Sequence, residues 1–587
     1  MPNRQLARRM IHRMIPRMFH RTSYHLILAV AIAAAIAEPG MTAASVPSKT
    51  APASPIDFSV VQWVPVQNGG RLKPLDTYAR ETARSITGRE TFNGMSPMQL
   101  LFTLAFNGES LRDTQLIKIG FTPLKEKIGL DPNRQHFSYR ELLENQAFRV
   151  LVEQVREKQQ MGMGEDLDRL EREVSSIYGR LVHMGMIMGG EDPRLVPTPG
   201  ERSEWLSVSQ VASAPAVGPG ITGPWQAMGE AFLAGDSAAF RQASIELRDH
   251  LEAMPATSDR NAGRLGLEIR YNRTKPNLIA QGPYLLASLG FLLGFAVRRR
   301  WLYLASLLLL VLGFAIQTYG LAVRAILTSR APVGNLYEAL IFIGWGVVGL
   351  AIFFELMSRA KIYGAVAGLA GFVVLVLAHY LPLDPAINPL VAVLNATWLQ
   401  YHVTTILFGD AALTLAAALA HFIMGAQIFA PHRADLRRTG LQFMYRAIQV
   451  GVLCLAAGIM FGAIWANASW GRYWGWDPKE TWALITLMGF LLVVHGKQAG
   501  WLREKGMVLV SVLGLQLLVM TVYGVNYFLV GLHSYAGSGD AGVSLPPILI
   551  GYLAFEALAV GAYILACRRA EGHGQPAMAG AVPADRP

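Results

Sequence analysis

The chain has 587 residues, of which 52% are hydrophobic and only 16% are charged, and its formal net charge is +11. It is too long for one ordinary soluble domain, and soluble proteins usually carry about 25% charged residues. Since the basic residues cluster at the N-terminus and between apolar segments, membrane topology explains them, and we expect no nucleic-acid partner. The two cysteines, Cys454 and Cys567, form neither CxxC nor CxxCH, which excludes a dithiol redox protein and a c-type cytochrome.

The N-terminus has the layout of a secretory signal. Residues 1–25 carry six arginines and no acidic residue, and an apolar run of twelve residues and a small-residue stretch follow. This pattern predicts a signal peptide over residues 1–37, with an uncleaved N-terminal anchor as the alternative. Residues 38–55, rich in Ala, Pro and Ser, are predicted to be a linker.

Residues 56–275 are mixed in polarity and contain no apolar run long enough to span a membrane, which predicts an extracytoplasmic soluble domain. A capping box from Ser138 to Glu141 predicts a helix to about Gln159. Apolar residues at steps of three and four predict a second helix over 167–184, and 225–254 are predicted to be helical. We therefore expect a mainly helical domain. Its three histidines lack metal-ligand spacing, which favours surface or packing roles for His136, His183 and His250.

From residue 276 onward the sequence predicts an all-α polytopic membrane protein with about nine transmembrane helices. Each segment has roughly the length that crosses the hydrocarbon core. The seventh segment is the shortest. Residues 276–300 are predicted to be one helix that precedes a membrane domain over 301–567, and residues 568–587 are predicted to be a cytoplasmic tail. The nine segments are 277–297, 302–323, 334–356, 362–380, 401–424, 446–466, 481–497, 507–529 and 546–567.

The distribution of basic residues predicts the orientation. If residues 298–301 are cytoplasmic, the cytoplasmic connections carry thirteen basic residues and the opposite loops four. This asymmetry predicts a multi-pass protein of the bacterial inner membrane with the soluble domain and residues 465–482 on the periplasmic side. The acidic residues near the membrane are scattered and form no obvious relay, which weakens a transporter function: Glu338, Glu355, Asp410 and Glu556.

Residues 465–482, WANASWGRYWGWDPKETW, carry five of the chain's twelve tryptophans between two apolar segments. Tryptophan is common at membrane interfaces, so an ordinary aromatic belt is one explanation. Five indoles with interleaved glycines and charges of both signs favour a platform for a large, flat, partly apolar ligand.

Two histidines are predicted on the same external face. His402 begins the fifth apolar segment, and His533 follows the eighth. Imidazole is a common axial ligand of haem iron, and Arg472 and Lys479 could pair with the propionates. The alternative is that both histidines are hydrogen-bonded surface residues.

The segment WGRYWGWDPKETW resembles the tryptophan-rich WWD signature of haem-handling proteins of cytochrome c maturation, closest to the CcsA/ResC branch. The segments SRAPVGNLYEALIFIGW, TWLQYHVTTILFGDAAL, WALITLMGFLLVVHG and GVNYFLVGLHSYA also resemble this family, in the family's order. VPVQNGGRLKPLDTYARE (residues 64–81) and EIRYN (residues 268–272) resemble the external domain of longer members, and the sequence assigns them no role.

This resemblance implies haem b as the cofactor and a set of site residues. His402 and His533 match the two external axial ligands, and His495 matches a membrane histidine that receives haem from the inside. His379 and His421 are the candidates for a second membrane histidine, although no motif supports either. The remaining residues predicted at the cofactor are Trp470, Trp474, Trp476, Asp477, Arg472 and Lys479.

The expected function is therefore presentation of haem for thioether attachment to the CxxCH motif of apocytochrome c, as a component of a haem lyase (synthetase). The chain lacks a recognisable CcsB/ResB-like half, so the resemblance implies a separate CcsB/ResB-like membrane protein as partner. Thiol-reducing proteins would act indirectly, by keeping the acceptor cysteines reduced. The alternatives are a haem exporter or chaperone without ligation activity, and a transporter or respiratory subunit whose tryptophans form an aromatic belt.

Overall fold

The computed structural model describes residues 56–164, 167–198, 204–212, 218–254, 259–297, 299–381, 383–389, 396–529, 531 and 547–572. The chain divides into two compact units, residues 1–51 and 52–587, and all of the described residues belong to the second. The predicted signal peptide or anchor, the predicted linker and residues 573–587 lie outside the described residues.

The part of the chain before the membrane segments is mainly helical, as predicted, and its helices enclose an apolar core. The strands form three two-stranded antiparallel sheets, β1–β2, β3–β4 and β5–β6. The strands are Pro65–Asn68 (β1), Arg71–Pro74 (β2), Gln115–Lys118 (β3), His136–Ser138 (β4), Arg194–Val196 (β5) and Leu206–Ser207 (β6). The helices are Leu75–Thr87 (α1), Pro97–Asn107 (α2), Thr122–Lys127 (α3), Tyr139–Glu144 (α4), Gln146–Gln160 (α5), Arg169–Met188 (α6), Val208–Val211 (α7), Gly218–Ala234 (α8), Ser237–Glu252 (α9) and Asp259–Thr274 (α10).

The capping box at Ser138 is confirmed, but the helix it begins is shorter than predicted. Ser138 and Glu141 exchange the expected side-chain-to-backbone hydrogen bonds. The chain then leaves the helix at Asn145, which has an extended backbone, and the Asn145 side chain accepts a hydrogen bond from the Phe148 amide at 2.8 Å. Because asparagine caps a helix N-terminus well, the predicted single helix is two helices, α4 and α5.

The second predicted helix is confirmed as α6, and its apolar stripe is buried. The predicted stretch 225–254 is divided into α8 and α9 at Gly235, whose φ of +71° ends the first of them. The buried residues of the α6 stripe are Val174, Ile177, Leu181, Met184 and Ile187.

The three histidines of this part each have a protein partner. His136 Nε2 lies 3.0 Å from a backbone carbonyl of α1, and His250 Nδ1 lies 2.8 Å from a carbonyl of its own helix. His183 Nε2 lies 2.9 Å from an Asp192 oxygen that also accepts from the Tyr78 hydroxyl at 2.6 Å. Burial, with the Asp192 carboxylate beside it, raises the pKa of Tyr78 well above its usual value, so the phenol stays a donor.

The membrane part is a bundle of long helices, which confirms the all-α polytopic fold. Among the described residues, eight helices have the length and apolar composition needed to cross a membrane. The seventh predicted segment, 481–497, lies in the 21-residue helix Pro478–Gln498, whose composition is less apolar. The helices are Pro276–Ile279 (α11), Gln281–Ala296 (α12), Arg300–Thr328 (α13), Leu336–Ser358 (α14), Ile362–Tyr380 (α15), Thr397–Phe429 (α16), Ala434–Trp470 (α17), Pro478–Gln498 (α18), Glu504–Val519 (α19), Val525–Phe528 (α20) and Pro547–Gly572 (α21), with a π-helical turn, Met520–Gly524, between α19 and α20.

Successive membrane helices alternate in direction, and this places the functional segments at one end of the bundle. The C-terminal ends of α13, α15 and α17 meet the N-terminal ends of α14, α16 and α18 at this end. Residues 56–274, called the soluble part below, contact the same end: Tyr271 of α10 accepts a hydrogen bond from Arg324 near the end of α13. The soluble part and residues 471–477 therefore share one face of the bundle.

Candidate functional site

Helices α16 and α17 pack closely along a line of glycines. A Cβ atom on Gly409 would lie 3.0 Å from the Leu455 amide nitrogen, and one on Gly451 would lie 2.5 Å from the Leu413 side chain. Glycines at such positions let helix backbones approach closely inside a membrane. The contact continues to the end of the bundle that the soluble part contacts, where it reaches His402.

His402 is held by two glycines of α17. Its Nδ1 lies 2.7 Å from the Gly458 carbonyl oxygen, and because a carbonyl only accepts, Nδ1 carries the proton. A Cβ on Gly462 would lie 2.6 Å from both Cε1 and Nδ1 of His402, so the ring occupies the space that a side chain would fill. The lone pair is therefore on Nε2. A histidine oriented by a backbone carbonyl in this way is the usual arrangement for a metal ligand.

Three aromatic side chains beside His402 were not among the predicted site residues. The Trp398 ring lies 6.1 Å from Tyr401 and 6.2 Å from Phe461, which precedes Gly462 in α17. Trp398 and Tyr401 are exposed. Trp398 is four positions before His402, so both lie on the same side of α16. The sequence TWLQYH contained this signal, and the spacing of Gly458 and Gly462 by four residues was a further one.

The tryptophan loop is residues 465–482, which are the end of α17, the connection 471–477 and the start of α18. Hydrogen bonds fix its base. Gly471, with φ +69°, ends α17. Asp477 caps α18, and the Glu480 carboxylate accepts from the Gly475 amide at 2.8 Å and the Asp477 amide at 3.2 Å. Asp477, predicted at the cofactor, is thus a capping residue in this structure. Trp470 lies about 12 Å further along α17 than Gly462, the residue on which His402 packs.

The rings of this loop differ in exposure. The Trp474 and Trp476 centroids are 5.9 Å apart, edge to face, as are those of Trp465 and Trp470 at 6.2 Å. Trp465 is buried, whereas Trp470 is 43% and Trp476 71% exposed. The indole N–H of Trp474 is buried and has no hydrogen-bond partner in the part of the chain that the structure describes. A buried donor without a partner is costly, so this N–H is suited to an acceptor that arrives with a ligand.

Trp476 has a left-handed backbone, with φ +57°. A bulky side chain in this region is strained, and such strain concentrates at functional sites. We expect Trp476→Gly to stabilise the protein against thermal unfolding by about 1 kcal/mol, because glycine adopts this φ without strain. We also expect it to lose ligand affinity, because the exposed ring is gone.

Two comparison variants separate these effects. Trp476→Asn should behave like the glycine variant, because asparagine tolerates a left-handed backbone. Trp476→Phe should keep both the strain and the ligand. Thermal unfolding followed beside haem content measures the two quantities, and a glycine variant with unchanged haem content would remove Trp476 from the site.

The two predicted cations have different surroundings. Arg472 is exposed, and its guanidinium lies over Gly475, where a Cβ would be 3.2 Å from Nε. The Lys479 ammonium donates to Asn526 Oδ1 at 3.3 Å and so joins α18 to α20. Of the two, Arg472 is the cation that faces outward.

The other predicted ligands lie elsewhere. His533 lies outside the described residues, although Gly531, two positions earlier in the sequence, lies against Asp477 and Pro478. His495 is exposed near the far end of α18, about 26 Å along the helix from its start. Its Nδ1 donates to the Leu491 carbonyl at 2.9 Å, which leaves the lone pair on Nε2.

The two candidates for a second membrane histidine, His421 and His379, differ in whether protein groups engage their ring nitrogens. His421 donates from Nδ1 to the Ala417 carbonyl at 2.8 Å, and its Nε2 contacts Glu556 at 3.1 Å. Both ring nitrogens are therefore engaged, which disfavours a ligand role. His379 stacks edge to face on Tyr380 at the end of α15 that the soluble part contacts, opposite the end where His495 lies.

Comparisons with known proteins show which family the chain resembles. Residues 333–533, which contain His402 and the tryptophan loop, match the family described as Cytochrome C assembly protein. The chain is 31% identical to the cytochrome c biogenesis protein CcsA of Pyropia yezoensis, over 40% of this chain and 86% of that protein. It is 33% identical to the CcsA of Guillardia theta, over 37% of this chain and 80% of that protein. The chain belongs to the CcsA family of cytochrome c biogenesis proteins.

A longer relative extends the similarity beyond the CcsA core. The chain is 31% identical to Protein NrfI of Wolinella succinogenes over 497 residues, which is 80% of this chain. That share is larger than the membrane part can supply, so it includes much of the soluble part. The alignment spans about half the length of NrfI, 53%.

Proposed function

We propose that this CcsA-family protein holds haem b at the face shared by the soluble part and the tryptophan loop, and presents it for covalent attachment to apocytochrome c. The observation that carries the proposal is the setting of His402. Its ring is oriented by the Gly458 carbonyl, lies in the space left by Gly462 and has its lone pair on Nε2. His402 and His533 would then hold the haem iron.

The tryptophan loop fits a flat macrocycle with acidic edges. Trp470 and Trp476 offer exposed ring faces, and Trp398 and Tyr401 add apolar surface beside His402. The Trp474 N–H, which has no partner among the described residues, and the exposed Arg472 guanidinium are donors suited to propionate carboxylates.

Haem, when bound, supplies the two vinyl groups across which the CxxCH thiols of the acceptor add. The residues of this chain would position the haem. The two histidines and the aromatic rings would hold it in one orientation, so that its vinyl groups meet the acceptor thiols in the right geometry. The histidine of the acceptor's CxxCH motif would compete with His402 or His533 for the iron, which would favour release of the product. Because Cys454 and Cys567 lie in α17 and α21, away from the loop, no thiol of the described site competes.

We further propose that His495 takes part in haem entry from the opposite side of the bundle, and that a CcsB/ResB-like membrane protein assembles with the chain. The lone pair on His495 Nε2 and the exposure of that side chain support the first proposal. The proposed setting is the bacterial inner membrane, with the tryptophan loop on the periplasmic side, as the distribution of basic residues predicts.

The optical spectrum of the purified protein tests this proposal. We expect a six-coordinate, low-spin, bis-histidine haem spectrum with about one haem per external site. A purified protein that takes up no haem in a haem-replete membrane would favour a transporter or respiratory subunit with an aromatic belt.

A further inference from the structure

The two segments to which the sequence assigns no role contact each other. Arg71, at the start of β2, forms a two-pronged ion pair with Glu268 of α10, with N–O distances of 2.8 and 2.7 Å. The Asn272 amide donates to Asp76 at 3.1 Å and to Thr77 at 2.8 Å, both in the first turn of α1. The β1–β2 hairpin, α1 and α10 are thus joined by polar contacts.

α10 is joined in turn to a buried charge cluster of the membrane part. Arg324 of α13 donates from Nη1 to the Tyr271 hydroxyl at 3.3 Å. Its Nη2 lies 2.8 Å from Glu338 of α14, and Arg330 Nη1 lies 2.8 Å from the other oxygen of the same carboxylate. Arg324 is 1% and Glu338 0% exposed. Buried charges are tolerated when they are paired and hydrogen-bonded, as these are.

The same two arginines bind the backbone of the loop 384–389. Arg324 donates to the Pro385 carbonyl at 3.0 Å and to the Ala386 carbonyl at 3.3 Å. Arg330 donates to the Asn388 carbonyl at 3.1 Å. The cluster has one more positive than negative charge, and these carbonyl oxygens compensate the excess.

The hairpin reaches this loop from the other side. Its turn residues Gly69 and Gly70 have φ of +60° and +75°. A Cβ on Gly70 would lie 3.3 Å from the Pro389 side chain, and one on Gly69 would lie 3.9 Å from Asn388 Oδ1. The loop is therefore held on one side by Arg324 of α13 and by Arg330, which follows α13, and on the other side by the hairpin of the soluble part. Seven residues separate Pro389 from the start of α16, which carries His402.

We propose that the β1–β2 hairpin, α10 and the Arg324–Glu338–Arg330 cluster act as a clamp that positions the loop 384–389 and, through it, the start of α16. Arg71, Glu268 and Tyr271 are then positioning residues. The effect on His402 rests on the proposed function, whereas the clamping of the loop does not. The clamp gives the soluble part a task in setting the geometry of the external site.

The clamp is testable without haem. Ile387, which is buried in the same loop, is replaced by cysteine in a chain with Cys454→Ala and Cys567→Ala, and its labelling by a membrane-impermeant maleimide is timed in the full-length protein. We expect Arg71→Met to raise the labelling rate about tenfold, which corresponds to ~1.4 kcal/mol of easier local opening. Tyr271→Phe, which keeps the ring, should raise it less.

Two further variants control for loss of charge and loss of fold. Arg71→Lys keeps the charge without the two-pronged geometry, so its rate should be intermediate. Lys158→Met removes a cation from the ion pair with Glu171, which joins α5 to α6 outside the clamp, and should leave the rate unchanged.

Haem content is measured on the same variants. We expect it to fall in Arg71→Met and not in Lys158→Met. Equal labelling rates in Arg71→Met, Tyr271→Phe and the parent would overturn the clamp, even where His402→Gly still loses haem. Faster labelling with haem unaffected by His402→Gly would keep the clamp and overturn the proposed function.

Discussion

Replacing His402 with glycine is expected to remove haem from the external site. If His402 is the proposed ligand, the variant lacks the imidazole that would bind the iron and that the Gly458 carbonyl orients. We expect at least about a tenfold loss of affinity, equivalent to ~1.4 kcal/mol. Imidazole added during purification should restore the spectrum, because it fits the space that the side chain leaves. Haem per protein and the optical spectrum measure both effects.

His250→Gly is the matched control for this variant. Like His402, His250 lies in a helix and its Nδ1 contacts a backbone carbonyl, here that of Glu246 at 2.8 Å, but it lies in the soluble part. It should leave haem content unchanged. The same measurement on His533→Gly tests the second proposed ligand, and wild-type haem content in both His402→Gly and His533→Gly would refute the ligand assignment.

Gly462→Ala is expected to displace the His402 ring without removing it. The new Cβ would lie 2.6 Å from two ring atoms, so the imidazole must turn away from the Gly458 carbonyl. Changing such an orienting contact typically lowers metal affinity by about 10- to 100-fold, and we expect a loss in this range. Gly462→Val should lose more.

Gly425→Ala provides the control in the neighbouring helix. A Cβ on Gly425 of α16 would meet nothing within 4 Å, so this variant should keep haem and helix packing. Combining Gly462→Ala with His402→Gly should cost no more haem than His402→Gly alone, because both act through one ring. Additive losses would mean that Gly462 acts on the bundle and not on His402.

The fold was largely predictable because its signals are local. Each apolar run long enough to span a membrane became a helix, and the Ser138 capping box was visible in four residues. The break at Asn145 was not predicted, since the helical pattern continues across it and only the capping hydrogen bond to Phe148 reveals the division. The predicted apolar segment 481–497 is the shortest of the nine, which agrees with the less apolar composition of the helix Pro478–Gln498.

The site was only partly predictable, because its supporting contacts join distant residues. His402 and the tryptophans stand out by residue type. The role of Gly462 depends on how α17 packs on α16, sixty positions away in sequence. Lys479 carries the right charge for a propionate, yet its ammonium donates to Asn526. The Arg324–Glu338 ion pair was likewise not predictable, because it depends on how the end of α13 and the start of α14 are oriented toward each other.

One co-expression measurement tests most directly whether the chain presents haem for thioether formation. An apocytochrome c with a CxxCH motif is produced together with this protein and a CcsB/ResB-like partner, in cells without any other maturation system. Covalent haem on the acceptor is then measured after denaturation. We expect covalent haem on the acceptor with the wild-type chain, and its loss with His402→Gly. Haem bound by the protein but never attached to the acceptor would contradict this expectation and favour an exporter or chaperone.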